Sequence, residues 1–166
     1  MKKLLFCLGL SLILLFIGTE SGAQTPYVGG SFTAFYSTHF DYSTHVLGGY
    51  EFNDRWAAGG GLGIDLSKYS RYMSTTGFLG GYVRYTPWHG DVLWLDIKCR
   101  AEMAFRFRGI MNMDMGLVGG LRFRVSPHWD IFTDIASLGV RYFNDTWSPL
   151  VGITCSGCQV GALYRF

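Results

Sequence analysis

Apolar and polar residues alternate along this chain with a period of two. The pattern is clearest from Val92 to Arg108, where Leu93, Leu95, Ile97, Cys99, Ala101, Met103, Phe105 and Phe107 occupy one parity. The other parity holds Asp96, Lys98, Arg100, Glu102, Ala104, Arg106 and Arg108. Successive side chains of a strand point to opposite faces, so the segment predicts a strand with one apolar and one charged face. A helix is excluded, because positions three and four apart mix charge with apolar residues and leave no apolar stripe.

The next segment repeats the design, with Met113, Met115, Leu117, Gly119, Leu121, Phe123 and Val125 against Asp114, Val118, Arg122 and Arg124. A third strand sets Trp56, Ala58, Gly60, Leu62, Ile64 and Leu66 against Ala57, Gly59, Gly61, Gly63 and Asp65; the inward glycines are read as space for arginines reaching across from facing strands. Strand one (about Tyr27 to Ser37) places Val28, Phe32, Ala34 and Tyr36 opposite Ser31 and Thr33. Strand two (about Ser43 to Phe52) places Val46, Tyr50 and Phe52 opposite His45 and Glu51. Strand four (about Gly77 to Thr86) directs Leu79, Val83 and Tyr85 outward and Arg84 inward. In strand seven, Trp129 to Tyr142, Asp134 and Arg141 fall on opposite parities, and a β-bulge is needed to put both on one side. A last strand ending at Phe166 brings the count to eight.

The connections alternate in kind. Asn53-Asp54-Arg55, Pro87-Trp88-His89-Gly90 and Ser126-Pro127-His128 are built from turn-forming residues, whereas Ser67 to Thr76 and Phe143 to Pro149 read as longer loops. Trp56, Trp88 and Trp129 fall at the tight-turn ends, and Tyr69, Tyr72, Tyr142, Phe143 and Trp147 at the loop ends. Two aromatic girdles, one per membrane interface, are the expected result.

Composition turns this pattern into a location. Aromatics reach 17% and glycine 23 residues, while no segment after residue 23 approaches the run of about 18 apolar residues that a transmembrane helix requires. Without helices, only a sheet closed on itself satisfies every backbone N–H and C=O in hydrocarbon. The predicted fold is therefore all-β: an eight-stranded antiparallel up-and-down transmembrane β-barrel. A soluble lipocalin-like barrel is the alternative, but it would turn the apolar face inward and leave the charges of strands five and six in water.

Met1-Lys2-Lys3, the apolar stretch Leu4 to Gly18 and the small residues Ser21-Gly22-Ala23 form the three parts of a secretory signal peptide. Residues 1–23 are expected to be cleaved and 24–166 to form the barrel domain. Cleavage removes Lys2, Lys3 and Glu20 and leaves 12 basic against 11 acidic residues, a balance that gives no general attraction to nucleic acid.

The final residues Val160, Ala162, Tyr164 and Phe166 share one face and end in an aromatic residue. This resembles the assembly signal that outer-membrane barrels present to the barrel-assembly machinery. With the leader and eight strands, residues 24–166 resemble the small OmpA/OmpX-like β-barrel family, here without a periplasmic peptidoglycan-binding domain. The resemblance implies an outer-membrane location and a monomer. It also implies contact with outer-membrane lipid and lipopolysaccharide, and with periplasmic chaperones and the assembly machinery during biogenesis.

Among candidate chemistry, the inward charges Glu51, Asp65, Arg84, Asp96, Lys98, Arg100, Glu102, Arg106, Arg122 and Arg124 carry most information. Eight strands leave an interior just wide enough for side chains, so these groups are expected to form a paired plug. A narrow ion or small-solute path opened by exchange of partners is the functional alternative. Asp41, Ser43 and His45 share a face, but residues two apart on a strand lie about 6.6 Å apart at the backbone, beyond nucleophile–base contact. A lipid-modifying barrel of the lipid A deacylase kind would want such a serine and histidine on the outer face, where parity does not put them. Cys155 and Cys158 are about 10 Å apart in a straight strand, so a disulfide between them needs a turn at Ser156-Gly157. Cys99 faces lipid, and His89 and His128 sit in turns. No catalytic residue, cofactor site or metal site is predicted. The expected role is non-enzymatic: envelope integrity or presentation of a surface to partners.

Overall fold

The computed structural model describes residues 25–36, 40–69, 72–105, 111–143, 146–153 and 159–166. The expected signal peptide, Arg106 and the Cys155/Cys158 pair lie outside these residues. Nine antiparallel strand segments are described: β1 (Thr25–Tyr36), β2 (Phe40–Glu51), β3 (Trp56–Tyr69), β4 (Tyr72–His89), β5 (Leu93–Phe105), β6 (Met111–Arg124), β7 (Trp129–Phe143), β8 (Thr146–Ile153) and β9 (Gln159–Arg165). Each of β1 to β7 pairs with its neighbour in sequence, β7 pairs with both β8 and β9, and β9 pairs back onto β1. The sheet thus closes into an eight-stave barrel whose last stave is shared by β8 and β9. No helix among the described residues is long and apolar enough to cross a membrane.

The facing of the strands follows the alternation in the sequence. Outward positions are apolar and open: Val46 is 70% exposed, Leu62 61% and Leu138 61%. The buried positions hold Arg84, Asp96, Arg122, Asp130 and Asp134. A water-soluble barrel would have these two sets exchanged, since charge is expensive to bury and apolar surface expensive to wet.

Two bulges adjust the register. Between β6 and β7, Gly119 pairs with Ala136 and Gly120 with Asp134, so Ile135 is the extra residue. That shift puts Asp134 and Arg141 on the lumen side together, resolving their opposed parity. Between β4 and β5 the register shifts between Tyr85 and Trp88. Here the expected turn at Pro87–Gly90 is corrected: β4 runs on to His89, and the bulge accommodates Pro87, which has no N–H to give the ladder.

The connections also differ from the expected lengths. Ser67 to Thr76 is not a long loop, because Lys68 pairs with Met73 and Tyr69 with Tyr72. Phe143 likewise pairs with Thr146. Backbone pairing continues past the length that hydrocarbon requires; β4 has 18 residues, against roughly 9–11 for a spanning strand. At the opposite end the turns are tight. Asn53 Oδ1 accepts from the N–H groups of Arg55 (2.9 Å) and Trp56 (2.8 Å), and Ser126 Oγ accepts from Trp129 N–H (3.1 Å). These Asx- and Ser-type turns need only a short polar side chain to satisfy donors the ladder leaves over.

The tight-turn end carries an aromatic band. Trp56 meets Tyr85 at 4.7 Å between ring centroids, and Tyr164 meets both Trp129 (5.1 Å) and Phe166 (5.3 Å). At the other end Tyr142 packs against Trp147 at 5.0 Å.

Candidate functional site: a charge-packed lumen

Arg122 is the centre of the lumen. Its guanidinium donates to Asp96 through Nε (2.8 Å), to Asp130 (3.0 Å) and Glu51 (3.1 Å) through Nη1, and to Thr86 Oγ1 through Nη2 (3.3 Å). Its side chain is 1% exposed. Four strands (β2, β5, β6 and β7) supply this one constellation, with Thr86 from β4 donating in turn to Asp96 at 2.6 Å. The fork of a guanidinium suits such a role, since its five N–H groups hold several oxygens in fixed directions.

Other cations complete the layer. Arg84 pairs with Glu51 and lies 3.9 Å from Asp96; Arg165 pairs with Asp130 and lies 3.6 Å from Glu51. Lys98 donates to Asp134 at 2.6 Å and rests over the Phe132 ring at 4.4 Å. Trp94, buried beside them, offers its ring to Arg122 (4.0 Å) and Arg124 (4.1 Å) while its Nε1 donates to Gly90 O at 2.8 Å. Five cations (Arg84, Lys98, Arg122, Arg124, Arg165) therefore face four carboxylates (Glu51, Asp96, Asp130, Asp134), and the aromatic ring absorbs part of the excess. The layer lies in the tight-turn half of the barrel.

Two smaller groups lie nearer the loop end. Arg100 Nε is 3.5 Å from Glu102, whose other oxygen is 3.7 Å from His45 Nδ1, and His45 stacks on Phe78 at 5.8 Å. Beyond them Arg141 grips Asp114 with two hydrogen bonds (2.8 and 2.7 Å), near Asp65. The ten charges singled out in sequence thus divide. Glu51, Arg84, Asp96, Lys98, Arg122 and Arg124 meet in the main layer, Arg100 and Glu102 pair apart from it, Asp65 stands nearer the rim, and Arg106 lies outside the described residues. Ser43 pairs in register with Asp65, not with His45, and His45 turns instead to Glu102.

Sequence reasoning missed Asp130, Asp134 and Arg165 as members of the main layer. Arg165 was legible: the terminal strand that puts Tyr164 and Phe166 outward must put Leu163 and Arg165 inward. The inward glycines serve different side chains from those expected. A Cβ at Gly59 would lie 2.7 Å from Tyr27 Oη and 3.0 Å from Tyr82 Oη, and one at Gly63 would lie 2.7 Å from His45 Nδ1. The space is taken by Tyr27, Tyr82 and His45 rather than by arginines. Tyr27 and Tyr82 share a hydrogen bond of 2.7 Å and, with Ala57, Phe132 and Leu163, form a small apolar belt. Tyr27→Phe should cost about 1 kcal/mol of unfolding free energy in a urea titration, the usual worth of one such bond.

No group of three or more metal-ligating side chains occurs among the described residues. No known protein family and no curated protein matches the sequence. Solved structures do resemble it. Neisserial surface protein A (NspA) aligns at 12% identity over 87% of this chain and 98% of its own, with a TM-score of 0.51. A de novo designed transmembrane β-barrel aligns at 14% identity over 86% and 95%, with a TM-score of 0.50. Ail, the attachment invasion locus protein of Yersinia pestis, aligns at 14% identity over 86% and 97%, with a TM-score of 0.45. The apolar exterior, the charged interior and the first two of these likenesses agree on one architecture: the chain is a closed, eight-stranded, antiparallel transmembrane β-barrel.

Proposed function

We propose that this protein is a non-enzymatic integral barrel of the outer membrane whose lumen is shut, and that it serves the envelope as a rigid spanning body with its hairpins presented at the cell surface. The observation that carries this reading is the burial of Arg122 at 1% exposure among Asp96, Asp130 and Glu51. A conducting path needs water along its length, and this layer leaves its central cation almost none. Export by a cleaved leader, delivery by chaperones and the assembly machinery, and a monomer in contact with lipopolysaccharide complete the proposal. They rest on the leader-like N-terminus, the aromatic C-terminal strand and the apolar exterior.

Planar-bilayer recording of the purified barrel tests it. Silent membranes are expected, with no discrete conductance steps; regular steps would favour the ion path instead. The lipid-modifying reading makes a separate prediction, a change in lipid A mass on overexpression. His45 facing Glu102 inside the lumen, away from acyl chains, argues against any such change.

A further inference from the structure

The tight-turn rim carries a notch between two hairpin ends. Asn53, Asp54, Arg55, Trp56 and His89 line it, and its volume is about 410 Å³, within the range of small-molecule sites. The backbone holds both sides in place: Thr86 N–H donates to Arg55 O at 2.8 Å, and His89 pairs with Trp94 across β4 and β5. Trp56 belongs both to the notch and to the outer aromatic band, where its ring meets Tyr85 at 4.7 Å. The notch therefore opens at the level where acyl chains give way to head groups.

Its polar groups form two complementary sets. Asn53 Oδ1 is spent on the N–H groups of Arg55 and Trp56, which leaves Asn53 Nδ2, a donor only, for another acceptor. The Arg55 guanidinium also only donates, and the His89 imidazole carries at least one N–H whether neutral or charged. Against these donors stands one carboxylate, Asp54, which can only accept. Asp54, Arg55 and His89 are all exposed, and among the described residues neither Asp54 nor Arg55 forms an ion pair within the protein. A guest that satisfies both sets carries an anion that accepts and a cation that donates, close together. A simple anion would be repelled by Asp54, and a simple cation by Arg55. We infer that the notch seats the head group of one zwitterionic phospholipid, with its phosphodiester on Arg55, His89 and Asn53 Nδ2 and its primary ammonium on Asp54. The acyl chains then run along the outer wall past Trp56 and Tyr85. This goes beyond the proposed envelope role: it assigns one fixed lipid to the rim, in the leaflet that faces the periplasm when the short turns do.

Native mass spectrometry of the folded barrel in mild-detergent micelles tests the inference, with phosphatidylethanolamine, phosphatidylcholine and phosphatidylglycerol of identical chains added in turn. One retained phosphatidylethanolamine per barrel is expected. Phosphatidylcholine, whose cation has no N–H, and phosphatidylglycerol, which has no cation, should each be retained roughly tenfold less, the scale of one lost charge-assisted hydrogen bond. Asp54→Asn should bring phosphatidylethanolamine down towards the phosphatidylcholine level, and Arg55→Gln should lower retention of all three. Soluble glycerophosphoethanolamine at the same concentration should not displace the lipid; displacement would mean that the head group alone is read. Folding of each variant is checked by its mobility shift on boiling, and the lipid series on the unaltered protein stands even where a variant does not fold. Equal retention of the three lipids, no retained lipid at all, or retention unchanged in both folded variants would overturn the assignment.

Discussion

Arg122→Leu should lower the unfolding free energy by about 3–5 kcal/mol, the cost of taking the central member out of a buried charge network, although Arg84 and Arg165 remain beside Glu51, Asp96 and Asp130. Asp96, Asp130 and Glu51 all take hydrogen bonds from this one side chain, and none of them can recover solvent where the layer fills the barrel. Arg122→Lys should fall between, because an ammonium keeps the charge but cannot hold oxygens on both edges of a planar fork. Arg141→Leu is the comparison. It breaks a pair with better two-point geometry, yet at 45% exposure, and should cost no more than about 1 kcal/mol, as exposed pairs do. Urea unfolding in lipid vesicles, followed by tryptophan fluorescence, orders the three; similar losses for Arg122→Leu and Arg141→Leu would mean that the layer is hydrated.

Leu117→Arg should destabilise by about 2–4 kcal/mol, the penalty for a lipid-facing arginine near the bilayer midplane. Leu117 is outward and open, pairs with Cys99 and Leu138, and stands mid-way along β6. Leu95, on the same outer face, stands lower: it pairs with Trp88 in the aromatic band at the tight-turn end. Leu95→Arg should therefore cost only about 0–1 kcal/mol, as it does near an interface. Thr33, on the lumen side towards the loops, should accept arginine more readily than position 117. The same vesicle titration reads all three, and a penalty at 95 equal to that at 117 would displace the membrane from the level assigned here.

Much of this architecture was legible because a strand writes its facing in single-residue alternation, and a slip of one would put a row of charges in lipid. Leu93 to Phe105 reads identically in sequence and in space. The bulge at Ile135 was legible for the same reason, since Asp134 and Arg141 could share the lumen only if the register shifted between them. What alternation does not reveal is height and partnership. It assigns Asp65 and Arg122 to the same side without saying that one stands near the rim and the other in the plug, because height depends on stagger between strands distant in sequence. Likewise it puts Trp94 on the charged face by parity without saying that its ring lies against Arg122 and Arg124. Hairpin length was misread because Ser67, Lys68 and Ser74 look like loop residues, whereas backbone pairing beyond the bilayer needs no apolar face.

Cell fractionation followed by gel mobility with and without boiling tests most directly whether the apolar face meets lipid and the charged face is enclosed. The protein should remain with carbonate-washed membranes and migrate faster unboiled than boiled, as a compact barrel that resists detergent until heated. Recovery in the soluble fraction, with one mobility under both conditions, would contradict the account.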